Sequence, residues 1–272
     1  MIRLFVTDLD GTLLDHSKKV SLREREALQR MKAAGMELCI ASGRMHTEMV
    51  QVMEEIGFAA YSVSQNGAFM HDKNGELLHM QRFPAELAYE LYQVAKDAEL
   101  VKLICSGDMN CLTERSAASD AIQARMFKPF VERPDAADAL QDELPACKFS
   151  FFGPMERLSR LRQAYEANFG DRVTMYYADH DCLDVMPLGV SKGDALRLLI
   201  DRLGLEAHEI ACIGDSFNDV SMLELTPHSF AMTWAHMDVK KAAAREVESV
   251  AAALADVHEL NRAAAAPAEG RP

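Results

Sequence analysis

The chain has 272 residues and a mass of 30.2 kDa, with 29 lysines and arginines against 42 aspartates and glutamates. The formal net charge of −13 argues against a nucleic-acid or anionic-membrane surface, because both need a basic face. No apolar run reaches the roughly 20 residues of a membrane helix, and Met1 leads into a strand-like segment rather than a signal peptide. The expected compartment is therefore the cytoplasm.

The six cysteines are scattered along the chain and form no Cys-x-x-Cys pair. Most of them lie in apolar, strand-like runs, which favours buried, reduced thiols over disulfides or metal ligands. The histidines also lack the spacing of a metal site. Asp179-His180-Asp181 is the one local cluster of possible ligands, and its polar setting indicates a turn.

The chain opens with a short apolar run, Ile2 to Val6, that predicts a β-strand, and Asp8-Leu9-Asp10-Gly11-Thr12 follows it. Side chains alternate along a strand, so Asp8 and Asp10 are expected to share one site. Two such carboxylates repel each other unless a cation holds them, and Mg²⁺ prefers oxygen ligands. Gly11 and Thr12 allow a sharp turn and offer groups that suit an anion. A polar turn without catalytic function is the alternative reading.

The next segments predict a strand–helix–strand unit of a parallel sheet. Ser21-Leu22-Arg23-Glu24 matches a capping box that opens a helix to Ala34, and Gly35 ends it. Met36 to Ala41 is a continuous apolar run, typical of a strand that is buried on both faces. Such a unit is normally a right-handed crossover.

Ser42-Gly43-Arg44 follows this second strand and precedes a predicted helix over 45–56. A hydroxyl, a glycine and a cation at a helix start suit a phosphate group. A plain helix cap with a turn glycine is the alternative. Tyr61 to Ser64 predicts a third strand, and Asn74-Gly75 predicts a hairpin turn.

From Pro84 the pattern changes to short strands, hairpins and helices, which predicts an inserted α+β module. Helices are expected over 84–99 and 155–169. The expected strands are 101–105, 111–113, 147–152, 173–177 and 182–186. The polar segment from Ser116 to Glu143 predicts no clear element.

The sheet pattern resumes after Pro187. Ser191 is expected to cap a helix from Lys192 to Leu203, which Gly204 ends. A buried strand over 210–213 leads into Gly214-Asp215-Ser216-Phe217-Asn218-Asp219. The last strand is expected over 230–232, a closing helix over 250–260, and a disordered, Ala/Pro/Gly-rich tail over 263–272.

Four features thus lie at strand ends or at helix starts of one predicted sheet: the acid pair, Ser42, Lys192 and the loop from Asp215 to Asp219. In open α/β sheets, ligands bind outside the carboxyl ends of the strands, so these features are expected to converge. A lysine in the first turn of a helix opposes the helix dipole, which favours a functional reason for Lys192.

In this order the four motifs resemble those of haloacid dehalogenase-like hydrolases, specifically the Cof-type phosphatase branch. Asn66-Gly67-Ala68 and Gly189-Val190-Ser191-Lys192-Gly193 are also similar to that branch. The resemblance implies a doubly wound, Rossmann-like α/β core over residues 1–83 and 187–262. It also implies a large α/β cap domain inserted over 84–186.

The resemblance further implies the roles of the acidic residues. Asp8 would be the nucleophile that forms an aspartyl-phosphate, and Asp10 would protonate the leaving group and then activate water. The role of Asp10 calls for a raised or coupled pKa. Mg²⁺ would be held by Asp8, the backbone carbonyl of Asp10, and Asp215. Thr12 would support these ligands, and Asp219 would orient Lys192 or metal-bound water.

The remaining motif residues are implied to bind the phosphoryl group or the substrate. Ser42 and the Gly43 N–H would hold phosphoryl oxygens, and Lys192 would offset charge on the nucleophile and the transferring group. Asn218 would touch phosphate or substrate. Arg44 would do the same, or would be a surface or cap-contacting residue. Asp184 is either a substrate contact or a solvated strand-edge acid.

The expected reaction is hydrolysis of small phosphorylated metabolites, such as sugar phosphates or nucleotide-like cofactor phosphates, without nucleic-acid or membrane partners. A phosphomutase with the same intermediate and a catalytically silent phosphate- and metal-binding regulator are the alternatives. One departure from the branch is Thr233-Trp234, which follows Ala231-Met232 where a Gly-Asn turn is usual. This departure concerns the local loop and the fit of the substrate.

Overall fold

The computed structural model describes residues 1–265. The strands in that range are β1 (Leu4–Thr7), β2 (Glu37–Ala41), β3 (Tyr61–Ser64), β4 (Phe69–His71), β5 (Leu77–Met80), β6 (Val101–Ser106), β7 (Met109–Leu112), β8 (Val131–Glu132), β9 (Lys148–Phe152), β10 (Val173–Asp179), β11 (Cys182–Pro187), β12 (Ile210–Gly214), β13 (Ser229–Met232) and β14 (Arg245–Val247). The α-helices are α1 (Leu22–Ala33), α2 (His46–Ile56), α3 (Ala85–Ala95), α4 (Ala117–Gln123), α5 (Ala136–Ala139), α6 (Met155–Phe169), α7 (Lys192–Leu203), α8 (Val220–Leu223), α9 (Met237–Ala242) and α10 (Val250–Ala265).

Eight strands form a large sheet in the order β14-β13-β12-β1-β2-β3-β4-β5. All neighbours from β14 to β3 pair in parallel, and β4 and β5 add an antiparallel edge. The central strands are apolar and buried because helices cover both faces. Helices α1, α2 and α10 pack on one face, and α7 to α9 pack on the other. The predicted α/β class with a doubly wound parallel sheet is confirmed.

Six strands form a small sheet in the order β10-β11-β9-β6-β7-β8. Alternation along β9 gives this sheet two different faces. Phe149 and Phe151 pack into an apolar cluster with α3 and α6. Lys148 and Ser150 point the other way, into a cleft that also contains Asp8 and Ser42 of the large sheet. The small sheet therefore lies over the carboxyl ends of the large sheet's strands.

Most predicted elements are found with bounds that agree to within a few residues, and those of β3, α6 and α7 agree fully. The Asn74-Gly75 turn joins β4 to β5, and the six cysteines are free and buried, as predicted. Within residues 1–265 no helix has the length and apolar character needed to cross a membrane. The division of the chain into domains stays a prediction.

Two sequence-based predictions are wrong in detail, and one segment that carried no prediction contains regular structure. The predicted last strand, β13, is followed by an edge strand, β14. It was not predicted because its first two residues, Arg245 and Glu246, are charged. The polar segment without a prediction contains α4, β8 and α5. Helix α10 continues to Ala265, so the first three residues of the expected disordered tail are helical, as suits a run of alanines. Residues 266–272 lie outside the described residues.

The capping box predicted for α1 is only half formed. The Ser21 hydroxyl accepts the Glu24 N–H at 3.3 Å, but the Glu24 carboxylate accepts the N–H of Ala251 at 2.7 Å instead of turning back on its own helix. Glu24 therefore caps the start of α10, 227 residues along the chain. This tertiary contact prevails over the local one because it satisfies an otherwise orphan N–H of α10.

Glu24→Gln tests this tie between α1 and α10. Burial raises the pKa of Glu24, so the folded state retains its proton more readily than the unfolded state does, and ionisation above the ordinary carboxyl pKa weakens folding. The glutamine keeps an acceptor for Ala251 without the charge. We expect the free energy of unfolding of Glu24→Gln, relative to that of the wild type, to increase as the pH rises from about 4 to about 7. Urea denaturation at several pH values measures this.

Glu26→Gln is the matched control, because it removes one exposed carboxylate from the same helix. A difference between Glu24→Gln and wild type that does not change with pH would contradict the prediction.

Candidate active site

The four motifs converge at the carboxyl ends of β1, β2 and β12 and at the start of α7. Asp8 follows β1, Ser42 follows β2, and the acidic loop follows β12. Lys192 is the first residue of α7, whose N-terminus is capped by the Ser191 hydroxyl, an acceptor for the Asp194 N–H at 3.1 Å. The cap and the left-handed Gly204 at the other end set the limits of this helix and so place the lysine.

Lys192 lies at the centre of the site. Its ammonium donates to Asp8 Oδ1 at 2.6 Å and to Asp219 Oδ1 at 2.7 Å. The lysine and Asp219 are fully buried, and Asp8 is nearly so. Burial alone would lower the pKa of Lys192, but Asp219 and Asp8 raise it, and the group stays charged. The hypothesis that this lysine serves the site, rather than only beginning a helix, agrees with these contacts.

Asp219 also organises the loop after β12. Its Oδ2 accepts the backbone N–H groups of Asp215 and Ser216 at 3.0 and 2.9 Å. Both oxygens of Asp219 are thus occupied. Asp215 in turn accepts the Thr12 hydroxyl on Oδ1 at 2.8 Å, which leaves its other oxygen facing the loop of Gly11.

Gly11 is required where it stands. Its φ is +80°, and a Cβ there would lie 2.5 Å from Asp215 Oδ2. The turn therefore needs both the conformational freedom and the missing side chain of glycine.

Three carboxylates, those of Asp8, Asp215 and Asp219, have oxygens within 4.8 Å of one another. Burial, aided by Asp219, raises the pKa of Asp215 to about 7, and burial also raises the pKa of Asp8 well above its usual value. One ammonium does not balance this negative charge, and a hard divalent cation would. Because Asp219 is already engaged on both oxygens, Asp8 and Asp215 are the carboxylates that could hold such an ion.

Asp10 is held by two cations. Arg44 donates two hydrogen bonds to its carboxylate, from Nε at 2.6 Å and from an Nη at 2.7 Å, and Lys18 Nζ donates a third at 2.7 Å. Burial opposes ionisation, but the bonds and charges of Arg44 and Lys18 outweigh it, and the pKa of Asp10 lies below its usual value. The expectation of a raised pKa is therefore wrong for this arrangement. The side chain of Asp10 remains 37% exposed, within reach of the cleft.

The phosphate-friendly loop, Ser42-Gly43-Arg44, lies on the wall of the same cleft. The Ser42 Oγ accepts the Arg44 N–H at 3.2 Å, and the Asn66 N–H donates to the Ser42 carbonyl at 2.9 Å. Asn218 reaches this region through its side-chain amide, which donates to Asn66 Oδ1 at 3.1 Å. The structure thus brings every predicted site residue to one cleft or to its immediate support.

The small sheet covers the cleft with a mixed surface, in which polar side chains, Lys148, Ser150 and Asp184, lie among apolar ones such as Leu103 and Phe152. Asp184 on β11 is 3% exposed, so the reading of it as a solvated strand-edge acid is wrong. Its carboxylate accepts the Ser150 hydroxyl and the Asn66 side-chain amide. The Asp179-His180-Asp181 cluster forms the exposed turn expected of it, with Arg125 paired to Asp181 at 2.9 Å.

Trp234 lies beside the acid pair. Thr233 and Trp234 still form a tight turn, with the Ala235 N–H donating to the Met232 carbonyl at 2.9 Å. The indole Nε1 donates to the Gly11 carbonyl at 3.0 Å, and the ring is 58% exposed. The unusual residue thus contacts the loop of the first motif directly.

Sequence reasoning missed Lys18 and Lys148, both of which line the cleft. Lys18 has a left-handed backbone (φ 59°) in a polar turn, and no periodic signal marks it. Lys148 carried a usable signal, because Lys-Phe-Ser-Phe alternates polar and apolar residues on a buried strand.

Comparison with known proteins gives concordant results. A family profile described as haloacid dehalogenase-like hydrolase matches residues 5–254. An HMP-PP phosphatase of Escherichia coli is 32% identical over 234 residues, covering 85% of this chain and 84% of the relative. An HMP-PP phosphatase of Serratia proteamaculans is 29% identical over 235 residues, with the same coverage.

Solved structures show the same fold. A Thermotoga maritima protein aligns with a TM-score of 0.82 at 24% identity, covering 94% of this chain and 97% of that one. A haloacid dehalogenase-like hydrolase from Bacteroides thetaiotaomicron aligns with a TM-score of 0.80 at 27% identity, covering 94% and 100%.

Lys192→Met tests the central charge. Without the ammonium, Asp8 and Asp219 are buried carboxylates that lack a counter-charge, and we expect the free energy of unfolding to fall by about 3–5 kcal/mol. Chemical denaturation at pH 7 with a chelator present measures the change. The double variant Lys192→Met/Asp219→Asn should recover part of the loss, because one carboxylate is removed.

Lys241→Met is the matched control, since that lysine is exposed and pairs with Asp238 on the surface. It should change stability by less than about 1 kcal/mol. An equal, small effect of both lysine substitutions would contradict the central role of Lys192.

Proposed function

The chain belongs to the haloacid dehalogenase-like hydrolases and is a hydrolase of phosphoric monoesters, and from this we propose that it hydrolyses small phosphorylated metabolites through an aspartyl-phosphate on Asp8. The observation that carries the proposal is the fixed geometry of Asp8. Its Oδ1 is bound to Lys192, and the residue lines the cleft together with Ser42 and Asp10. A carboxylate held in this way is oriented for nucleophilic attack.

In the first step, Asp8 attacks phosphorus and the leaving oxygen departs, forming a bond between Asp8 and the phosphoryl group. Ser42, the Gly43 N–H and Lys192 hold the phosphoryl oxygens, where negative charge is concentrated. Arg44 and Asn218 lie beside them and contact phosphate or substrate. In the second step, water attacks the phosphorus, the bond between phosphorus and the Asp8 oxygen breaks, and inorganic phosphate leaves with Asp8 restored as a carboxylate. Thr12 and Asp219 position Asp215 and Lys192 throughout.

Asp10 moves the proton in both steps. It must carry a proton to give to the leaving oxygen, and Arg44 and Lys18 hold it ionised while the cleft has no anion. A phosphorylated substrate competes for both cations, and their departure from Asp10 allows its protonation. The same carboxylate then accepts a proton from the attacking water.

The residues present fit Mg²⁺, which the carboxylates of Asp8 and Asp215 and the backbone carbonyl of Asp10 would hold. When bound, the ion screens the nucleophile from the phosphate and neutralises developing charge. The donor set is entirely oxygen, as this cation prefers.

We assign the cap role to the small sheet and its helices, with a cap over 84–186 and a core over 1–83 and 187–262. The mixed polar and apolar surface of this cap closes the cleft and contacts the leaving group, and it thereby selects the substrate. The relatives named HMP-PP phosphatase make HMP-PP the first substrate to test, followed by sugar phosphates and nucleotide-like cofactor phosphates.

Asp8→Asn should reduce phosphate release to background, because an amide cannot form the acyl phosphate. Asp10→Asn should lower kcat by about 10²- to 10⁴-fold, the usual contribution of a general acid–base. Both are measured as phosphate released from the best compound in a screen of phosphorylated metabolites. Asp201→Asn, an exposed acid on α7, is the control. Full turnover by Asp8→Asn in excess Mg²⁺ would refute the nucleophile.

Removal of divalent cations should abolish turnover, and Mg²⁺ should restore it. Ca²⁺ should restore much less, because it prefers more ligands at longer distances. Phosphate release in the continued presence of a chelator would contradict the metal assignment. Product analysis separates the alternatives: free phosphate supports the hydrolase, and an isomeric phosphate supports a mutase.

A further inference from the structure

A lysine of the small sheet holds the phosphate-binding loop from across the cleft. Lys148 begins β9, and its ammonium donates to the carbonyl of Gly43 at 2.8 Å. The two residues are 105 positions apart in sequence. The side chain of Lys148 is only 7% exposed. Because a buried ammonium is stable only with partners, this contact fixes the lysine and the loop relative to each other.

The Gly43 carbonyl transmits this contact to Ser42. It belongs to the same planar peptide group as the Arg44 N–H, which donates to Ser42 Oγ at 3.2 Å. Lys148 therefore binds the carbonyl of this peptide group, and the N–H of the same group binds the serine hydroxyl. Since Ser42 Oγ accepts this hydrogen bond, its own proton remains available for a phosphoryl oxygen.

A second contact from the small-sheet side reaches the same loop. The Phe127 N–H donates to Glu48 Oε1 at 3.1 Å, and the Arg44 guanidinium lies 4.0 Å from the centre of the Phe127 ring. The other oxygen of Glu48 accepts the Met45 N–H at 3.0 Å, at the start of α2. The segment from Ser42 to Glu48, which includes the first turn of α2, is thus held at two points by Lys148 and Phe127 of the inserted segment.

The remaining partner of Lys148 is Asp184, 3.7 Å away across the small sheet. Ser150 and Asn66 occupy the two oxygens of Asp184. Asp184 therefore balances the charge of the lysine, while the direct hydrogen bond of the lysine goes to the loop. This geometry favours a role toward the phosphoryl group over direct recognition of a leaving group.

We propose that Lys148 is a positioning residue for phosphoryl transfer, whose ammonium sets the Gly43–Arg44 peptide and through it the Ser42 hydroxyl. The inference rests on the proposed phosphatase function, with Ser42 as a phosphate ligand. When the small sheet lies over the cleft, the contact of Lys148 with the Gly43 carbonyl fixes the phosphate-binding groups of the loop. Because every substrate carries the same phosphoryl group, the contribution of Lys148 is the same for all leaving groups.

Lys148→Met tests the proposal, because methionine keeps most of the length of the stem and removes the donor. We expect kcat/KM to fall about tenfold, as for the loss of one charge-assisted hydrogen bond, and by the same factor for p-nitrophenyl phosphate and for the best metabolite of the screen. The inhibition constant of inorganic phosphate should rise by a similar factor. Lys148→Arg, which keeps charge and donors, should restore activity to within about threefold of wild type.

Lys102→Met is the matched control. This lysine lies on the neighbouring strand β6, and its ammonium donates to the carbonyls of Ala98 and Leu100 within the inserted segment. It should leave kcat/KM and phosphate inhibition unchanged. If Lys148→Met fails to fold, Lys148→Met/Asp184→Asn removes the uncompensated carboxylate as well, and the same equal loss is expected.

Wild-type kcat/KM and phosphate inhibition in a folded Lys148→Met would overturn the proposal. A loss confined to one of the two substrates would also overturn it, because it would show a contact with the leaving group. If the wild type releases no phosphate from any compound, the phosphatase assignment fails instead. The affinity for inorganic phosphate, measured by calorimetry on wild type and Lys148→Met, would then still decide the role of Lys148.

Discussion

The ammonium of Lys192, buried between the carboxylates of Asp8 and Asp219, connects three parts of the chain that are distant in sequence. Asp8 ends β1, Asp219 follows β12, and the lysine begins α7. A cation at a helix N-terminus faces an unfavourable dipole, and a buried one loses its hydration. Only the correct register of both strands and the helix compensates for these costs. The central charge of the site is therefore also a condition for the fold.

The sequence predicted best where local signals and tertiary structure agree. Helix α7 was bounded correctly because Ser191 and Gly204 act within one turn of its ends. Glu24 shows the opposite case. Its local pattern favoured a capping box, but its carboxylate accepts the distant N–H of Ala251 instead. Strand β14 was missed because an edge strand needs few apolar residues.

The candidate site likewise has features that the sequence predicts and features that it does not. Convergence of the four motifs follows from the topology of a parallel sheet, and strand ends can be read from apolar runs. The partners of Asp10 could not be read, because the reach of Arg44 and the left-handed turn at Lys18 depend on three-dimensional paths. The lowered pKa of Asp10 follows from these two cations. The state of an acid is thus set by neighbours that its own motif does not contain.

Trp234 gives the site a property that its chemistry does not require. It is the single tryptophan of the chain, and its indole is bonded to the carbonyl of Gly11, next to Asp10. Most of the ring faces solvent. The tryptophan fluorescence of the protein therefore arises entirely beside the Gly11 turn. Any rearrangement of the Asp10–Gly11 turn changes the surroundings of this one fluorophore, so the native protein carries an optical reporter of this turn.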